Sequence, residues 1–321
     1  MINLLLTSVN WRAEIVRLFR EKMKRLDRNN RVITTEVDPL ATAIYASDKN
    51  YMVPRYTETG YLDALKKICS VEKINFIIPQ TDRDCNYFAG HRDIIESWGA
   101  RILMPSPEKV KILNNKKLCQ EFLGKHGVLI PRNYAENEID HIERYPLIVK
   151  PRRDSGSANV RTARDRNELA SALKYVDSPI VEEFIEGDEF TADMAANLDH
   201  SIIGVVPRRR ITVKGGVSIK GVTFYDRELI ETARKVARLI EPTGFFCMQF
   251  IKRDNRYYLI EINARMGSGI VLSIRAGLDI GKIIAAYARG ENIFFKDDFF
   301  KTDLYMMQYL KPYYRKKGQL R

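Results

Sequence analysis

The sequence predicts an α/β protein in two unlike parts: a parallel sheet with helices on both faces, then an α+β unit built on antiparallel strands. Three observations carry the prediction. Strand-like and helix-like segments alternate from the first residues to Pro105. Beyond Pro107 the strands come in runs. Near the end, "GFFCMQFIKRDNRYYLIEINAR" reads as two strands joined by a tight turn. Strand–helix alternation calls for parallel pairing, and runs of strands for antiparallel pairing.

The elements follow in order. "INLLLTSV" is a strand, "WRAEIVRLFREKMKRL" an amphipathic helix and "RVITTEVD" a second strand. "YLDALKKICSVEK" is helical, "INFIIPQTD" a strand, "YFAGHRDIIESWG" a helix and "RILMPS" a strand, closing the first unit near Pro105–Pro107. "PEKVKILNNKKLCQEFLGKHG" reads as one helix stopped by Gly127. "PLIVKPRR" is a strand, "DRNELASALKYV" a helix and "PIVEEFI" a strand. "GDEFTADMAANL" and "HSIIGVVPRRRITV" are strands, and "RELIETARKVARLI" is a strongly amphipathic helix before the terminal hairpin. No internal repeat is visible.

Composition removes several classes. At 321 residues and 45% hydrophobic, the chain has enough material for two or three packed units. No apolar run reaches the roughly 20 residues that span a bilayer. The N-terminus lacks a basic leader and a small-residue cleavage site, so it reads as a first strand. Four scattered cysteines without a CxxC pair argue against zinc and for reduced thiols in the cytoplasm. The net charge of +12 is spread along most of the chain, as on a solvated surface. Its clearest run, "KPYYRKKGQLR", reads as a frayed basic tail. The charge alone would admit nucleic-acid binding, but no nucleic-acid motif accompanies it.

The hairpin carries the chemistry. Side chains alternate along a strand, so Leu259, Glu261 and Asn263 share one face. A three-residue loop, Asp254–Asn255–Arg256, places Gln249 opposite Glu261. A two-residue loop would pair Gln249 with Ile260 and turn the amide away, so an odd loop is expected. Oxygen ligands from Gln249, Glu261 and Asn263 suit a hard cation such as Mg²⁺. Arg265 follows at the strand end, where it could hold a transferring phosphoryl group. Taken alone, the same pattern fits a solvated strand face equally well.

Two further stretches point to phosphate. Lys150 ends an apolar strand, and the loop "DSGSAN" can turn backbone N–H groups toward an anion. Neither GxxxxGK[ST] nor GxGxxG is present. "PIVEEFIEGDEF" offers backbone groups to a base, and Glu189 could accept ribose hydroxyls. A strand-end lysine, an ordinary turn and a charged surface loop are the plainer readings of each piece.

Together, "NKKLCQEFLGKHGVLIP", "LIVKPRRDSGSANV", "IVEEFIEGDEF" and "QF…LIEINAR" resemble the ATP-grasp superfamily over about Pro105 to Gly290. The similarity is greatest to carbamoyl-phosphate-synthase-like and pyrrolysine-biosynthesis-type carboxylate–amine ligases. The first unit resembles the Rossmann-like pre-ATP-grasp domain. The resemblance implies units at 1–105 and 106–295, with a lid at about 117–185, and a basic extension at 296–321. It implies that Lys116 and Lys150 contact nucleotide phosphate, with Lys150 also at the adenine edge. Ser155, Gly156 and Ser157 would form a phosphate loop. Glu182, Glu183, Phe184 and Ile185 would form the adenine hinge, and Glu189 would bind ribose. Glu261 and Asn263, with Gln249, would hold Mg²⁺ or Mn²⁺, and Arg265 would stabilise the transferred phosphate. One departure stands out: the loop has a single glycine, and Asp154 brings negative charge beside the phosphates.

The implied reaction joins a small carboxylate to an amine with ATP, through an acylphosphate, releasing ADP and phosphate. Positioning and charge neutralisation carry such a step, which fits the absence of a nucleophile motif. The acceptor belongs where the two units meet, with Asp82 as amine ligand or helix cap. Arg208 and Arg210 share a strand face opposite Arg209 and could grip an anionic substrate. "MGSGIVLSIRAG" could present N–H groups to a carboxylate. The rivals are carbamoyl-phosphate synthesis, a nucleotide-binding regulator without turnover, and nucleic-acid binding. No membrane partner is expected; a homodimer is compatible with the sequence, which leaves the substrates and oligomeric state open.

Overall fold

The computed structural model describes residues 1–153 and 159–319. Its first part contains β1 (Asn3–Thr7), α1 (Ala13–Leu26), β2 (Arg31–Glu36), β3 (Lys49–Met52), α2 (Tyr61–Glu72), β4 (Phe76–Pro79), α3 (Asp82–Glu96) and β5 (Arg101–Ile102). All five strands are parallel, in the order β3-β2-β1-β4-β5. Alternation along β1 produces the two-sided core: Leu4 and Leu6 join Val16 and Phe19 of α1, while Leu5 joins Leu65 and Phe88 of α2 and α3. The chain runs outward from β1 to β3 and then returns to β4 on the other side of β1. The strand order therefore reverses between β1 and β4, and ligands bind open α/β sheets at such a crevice. β3 was not foreseen; its four residues, "KNYM", carry no apolar run and none is fully buried.

Next come α4 (Pro107–Leu113) and α5 (Lys116–Lys125), where the sequence reading had one helix. Asparagine competes for backbone hydrogen bonds, and the Asn114–Asn115 pair breaks the helix. The Asn115 side chain then caps α5, accepting from the Leu118 N–H at 3.3 Å. β6 (Asn133–Tyr134), β7 (Leu147–Pro151), β8 (Arg161–Ala163), α6 (Arg166–Tyr175) and β9 (Pro179–Glu183) follow. Their strands form an antiparallel sheet, β6-β9-β7-β8, over a small core of its own that includes Leu147, Val149, Leu169 and Val181.

The largest sheet is built from β10 (Asp188–Ala196), β11 (Ile202–Lys214), β12 (Val217–Thr223), β13 (Gly244–Arg253), β14 (Arg256–Asn263) and β15 (Tyr305–Met307). Its order is β14-β13-β10-β11-β12-β15. α7 (Arg227–Ile240) lies between β12 and β13 in the chain, and α8 (Ile270–Ala276) and α9 (Ile280–Arg289) follow β14. One face of the sheet packs Ala192, Met194 and Met248 with Leu229 and Val236 of α7. The other packs Ala195, Val206 and Phe245 with Ile270, Ile283 and Ile284. Both clusters also contain residues of the parallel sheet, so the two units share their cores.

The basic extension is not a frayed tail as far as Arg315. Met307 and Tyr305 pair with Lys220 and Val222 on β12. The Tyr313 ring stacks on Tyr45 at 6.4 Å, and its hydroxyl accepts from Arg17 at 3.1 Å. Aromatic stacking thus anchors a segment that charge alone marked as solvated. Among the described residues, no helix is long and apolar enough to cross a membrane.

Candidate active site

Gln249 stands opposite Glu261, and Cys247 opposite Asn263, in the β13–β14 ladder. The expected three-residue loop is absent. Arg253 pairs with Arg256, leaving Asp254 and Asn255 as a two-residue turn with left-handed φ of 50° and 58°. The pairing is recovered inside the strand: Phe250 faces Leu259 and Gln249 faces Glu261, so Ile260 is an extra residue, a β-bulge. The bulge also corrects the face assignment. Leu259 goes to the core with Phe250, while Glu261 and Asn263 turn to the cleft.

Two cavities flank this edge of the sheet. One, of about 250 Å³, is lined by Lys116, Lys150, Glu182 to Ile185, Glu189, Arg210, Gln249 and Glu261, with Ile148, Ile251 and Ile260 as apolar walls. The other, of about 470 Å³, is lined by Asp82, Arg83, Asn86, Lys116, Arg153, Glu261 and Asn263. Lys116 and Glu261 line both. Lys116 opens α5, and its backbone N–H donates to the Arg152 carbonyl at 2.9 Å. Ser155, Gly156 and Ser157 lie outside the described residues. Gly187 follows the hinge where a methyl group would stand 2.0 Å from the Lys252 carbonyl oxygen, so only glycine permits this crossing over β13.

The buried charges are paired. Lys150 Nζ meets Glu182 Oε2 at 2.7 Å, both side chains nearly inaccessible. Gln120 donates to the other oxygen of Glu182 and accepts from Asn133 at 2.7 Å. The Glu182 carboxylate therefore orients the lysine, leaving backbone groups of the hinge for a ligand. Glu183 is held by Arg253 at 2.7 Å. Glu189 is exposed, 3.4 Å from Arg210 Nε. Cys119 and Cys247 are pushed up to about 12 by burial, which keeps both thiols neutral.

Arg208 and Arg210 share a face of β11 as alternation requires, yet they do different things. Arg210 donates to Gln249 Oε1 at 2.6 Å and to the Gly216 carbonyl at 2.9 Å, inside the smaller cavity. Arg208 is locked in a buried ion pair with Asp193 at 2.7 Å, and Asp193 also accepts from Ser273 at 2.6 Å. This corrects the expectation of a paired anion grip: Arg208 serves the interior. Between Arg208 and Gln249 in the same row of the sheet stands Thr191, whose buried hydroxyl has no hydrogen-bond partner.

Arg265 joins the units. Its guanidinium donates to Asp82 Oδ2 at 2.9 Å and to the Met266 carbonyl at 3.2 Å. Burial alone would lower its pKa, but Asp82 outweighs that and holds it above the ordinary value. Asp82 is not the cap of α3; Thr81 is, accepting from the Asp84 N–H at 3.1 Å. The sequence reading also missed Arg12 and Asp84. Asp84 is buried and accepts from Thr7 and Ser8 at 3.1 and 2.7 Å, with burial raising its pKa. Both residues sit just past the ends of β1 and β4, the one signal that could have flagged them.

Comparison with known proteins agrees with this architecture. Residues 113–269 match the ATP-grasp domain family model, and residues 4–103 match the PylC-like N-terminal domain. A D-alanine–D-alanine ligase of Fusobacterium nucleatum is 24% identical, over 49% of this chain and 58% of its own. A carbamoyl phosphate synthase large chain of Agathobacter rectalis is 24% identical, over 82% of this chain and 26% of its own. Among solved structures, a biotin carboxylase of Campylobacter jejuni superposes with a TM-score of 0.74 at 18% identity, covering 95% of this chain and 74% of its own. The fold and site define an ATP-grasp protein behind a Rossmann-like domain. The chain belongs to the ATP-grasp superfamily. It spans about half to three fifths of the ligases it matches and a quarter of the synthase chains.

Proposed function

We propose that this protein is an ATP-dependent carboxylate–amine ligase that forms an amide through an acylphosphate and releases ADP and phosphate. One observation carries the reading. Gln249, Glu261 and Asn263 present oxygens on one face, beside a cavity that also holds Lys150, the 182–185 hinge and Glu189. That donor set, one carboxylate and two amides, fits Mg²⁺ or Mn²⁺ with nucleotide oxygens completing the shell. The cation would neutralise charge on the transferring phosphoryl group.

The chain's own residues supply the rest. The apolar walls Ile148, Ile251 and Ile260 flank an adenine ring, with the hinge backbone at its edge. Lys150, oriented by Glu182, reaches the phosphates, and Lys116 does so from α5. Glu189 takes the ribose. Arg210, which donates to Gln249 Oε1 at 2.6 Å, brings a positive charge to the same cavity for the phosphate chain. Arg265, held by Asp82 at the wall of the larger cavity, keeps its charge over the pH range of enzymes and would stabilise the transferred phosphate. Closure of the cleft around the substrates would keep water from the acylphosphate intermediate. Phosphate release with Mg·ATP, screened over small carboxylates and amines singly and in pairs, tests the reading. Stimulation by one pair is expected; no release with any pair, despite nucleotide binding, would reduce the protein to a nucleotide-binding regulator.

A further inference from the structure

The break at Asn114–Asn115 lets two short helices wall one cavity. Val110 and Leu113 of α4 and Leu123 of α5 give the larger cavity an apolar floor, and α3 and β14 complete it. Its volume, about 470 Å³, is that of a small-molecule site. Its lining includes Glu261 and Asn263, the proposed cation ligands. The first unit contributes Arg83 and Asn86, one helical turn apart on α3. Lys111 and Asn114, one turn apart on α4 and its cap, come from the other side. The two turns are tied together, because Asn114 Nδ2 donates to Asn86 Oδ1 at 2.5 Å. That bond leaves the amide N–H groups of Asn86 as donors.

The wall is basic. Four of its lining residues, Arg83, Lys111, Lys116 and Arg153, are cations, and two, Asp82 and Glu261, are carboxylates. Asp82 is bound to Arg265 at 2.9 Å, and Glu261 is set aside for the metal ion, so neither balances the wall. Asp84, next to Arg83 in the chain, is buried and turned to Thr7 and Ser8. Among the described residues, Arg83 and Lys111 form no ion pair and no side-chain hydrogen bond. Arg83 also stands in the first turn of α3, where the helix dipole disfavours a cation, so the fold gains little from it. The nucleotide has its own cations: Lys116, Lys150 and Arg210 line the smaller cavity, and Arg83 and Lys111 do not. The charge of these two is left for another ligand.

We infer that the larger cavity holds the carboxylate substrate and that this substrate is a diacid. Its reacting carboxylate lies beside Glu261 and Asn263. Its second anionic group, a carboxylate or a phosphate, is held by Arg83 and Lys111. The apolar floor takes the carbon chain between the two. The group that is phosphorylated has to reach the metal-bound phosphoryl, so the cavity containing Glu261 and Asn263 takes the acid rather than the amine. The diacid's role as substrate rests on the ligase reading; its binding rests on the two unpaired cations.

Isothermal titration calorimetry on the full chain, saturated with Mg²⁺ and a non-hydrolysable ATP analogue, reads the site without turnover. The probes are pairs that differ in the second anionic group: glutarate against butyrate, glutamate against glutamine, and O-phosphoserine against serine. At least one diacid should bind about tenfold or more tightly than its counterpart, and which one does so separates a carboxylate from a phosphate. Arg83→Gln combined with Lys111→Gln, both at exposed positions, should weaken that binding about tenfold or more and leave the affinity for the ATP analogue unchanged. Equal binding within every pair, an unchanged diacid affinity in the double variant, or an equal loss for the ATP analogue overturns the inference. In the phosphate-release assay, the stimulating acid should be a diacid. Release with singly charged acids alone would keep the ligase reading and remove the diacid site. Diacid binding that depends on both cations, without phosphate release from any pair, would keep the site and remove the ligase reading.

Discussion

Gln249 and Glu261 stand opposite one another across the β13–β14 ladder although only two residues, Asp254 and Asn255, join the strands. The extra residue Ile260 makes this possible by shifting the register after Leu259. Deleting Ile260 leaves a regular ladder in which the same two side chains still face each other. Inserting an alanine after Ile260 takes Glu261 out of register with Gln249. At ATP concentrations that offset the lost Ile260 wall, the deletion should therefore retain Mn²⁺ binding, read by electron paramagnetic resonance, and the insertion should lose it. Equal behaviour of the two variants would refute the role of the bulge.

The Lys150–Glu182 pair is almost fully buried at 2.7 Å. Removing one partner strands a charge, so Glu182→Ala should cost about 3–5 kcal/mol in urea denaturation. Replacing both residues by methionine should recover most of that loss, since buried pairs trade evenly against apolar packing. A single variant as stable as the wild type would contradict the pairing.

At Gly187 an added methyl group would meet backbone, the Lys252 carbonyl at 2.0 Å, and backbone cannot rotate away. Gly187→Ala should lift the hinge from β13 and weaken binding of a fluorescent ATP analogue. An unchanged dissociation constant would show that the hinge tolerates the shift.

Acid should unfold the protein partly through Asp226. Burial raises its pKa, but the Tyr257 hydroxyl, the Leu229 N–H and Lys252 together pull it below the ordinary value of 3.8. A carboxyl group depressed in the folded state contributes stability above its unfolded pKa and loses it as pH falls through the folded one. The melting temperature should fall as pH drops below about 4, and Asp226→Asn should flatten that fall. The same slope in both proteins would show that other carboxylates carry the effect.

How much of this was legible in the sequence differs by element. The five-stranded parallel sheet was readable, except β3, because apolar strands such as "NLLLT" and "FIIP" alternate with amphipathic helices. The ligand face of the hairpin was readable from alternation, but its loop was not: the bulge depends on how Leu259 and Phe250 pack, which no local pattern encodes. α4 and α5 were fused because helix periodicity runs through Asn114 and Asn115, and only the cap geometry reveals the break. Arg208 and Arg210 looked equivalent until Asp193, distant in sequence, claimed the first. Arg12 was invisible for the same reason, since its partner, Ser268, lies in the other unit.

The account stands on the cation held by Gln249, Glu261 and Asn263 between the nucleotide and the sheet. Titration of Mn²⁺ into the ATP-saturated protein, followed by electron paramagnetic resonance in wild type and Glu261→Ala, measures this directly. The wild type should bind, and the variant should bind at least about tenfold more weakly while keeping its circular dichroism spectrum. Equal Mn²⁺ affinity in the two folded proteins would contradict the assignment.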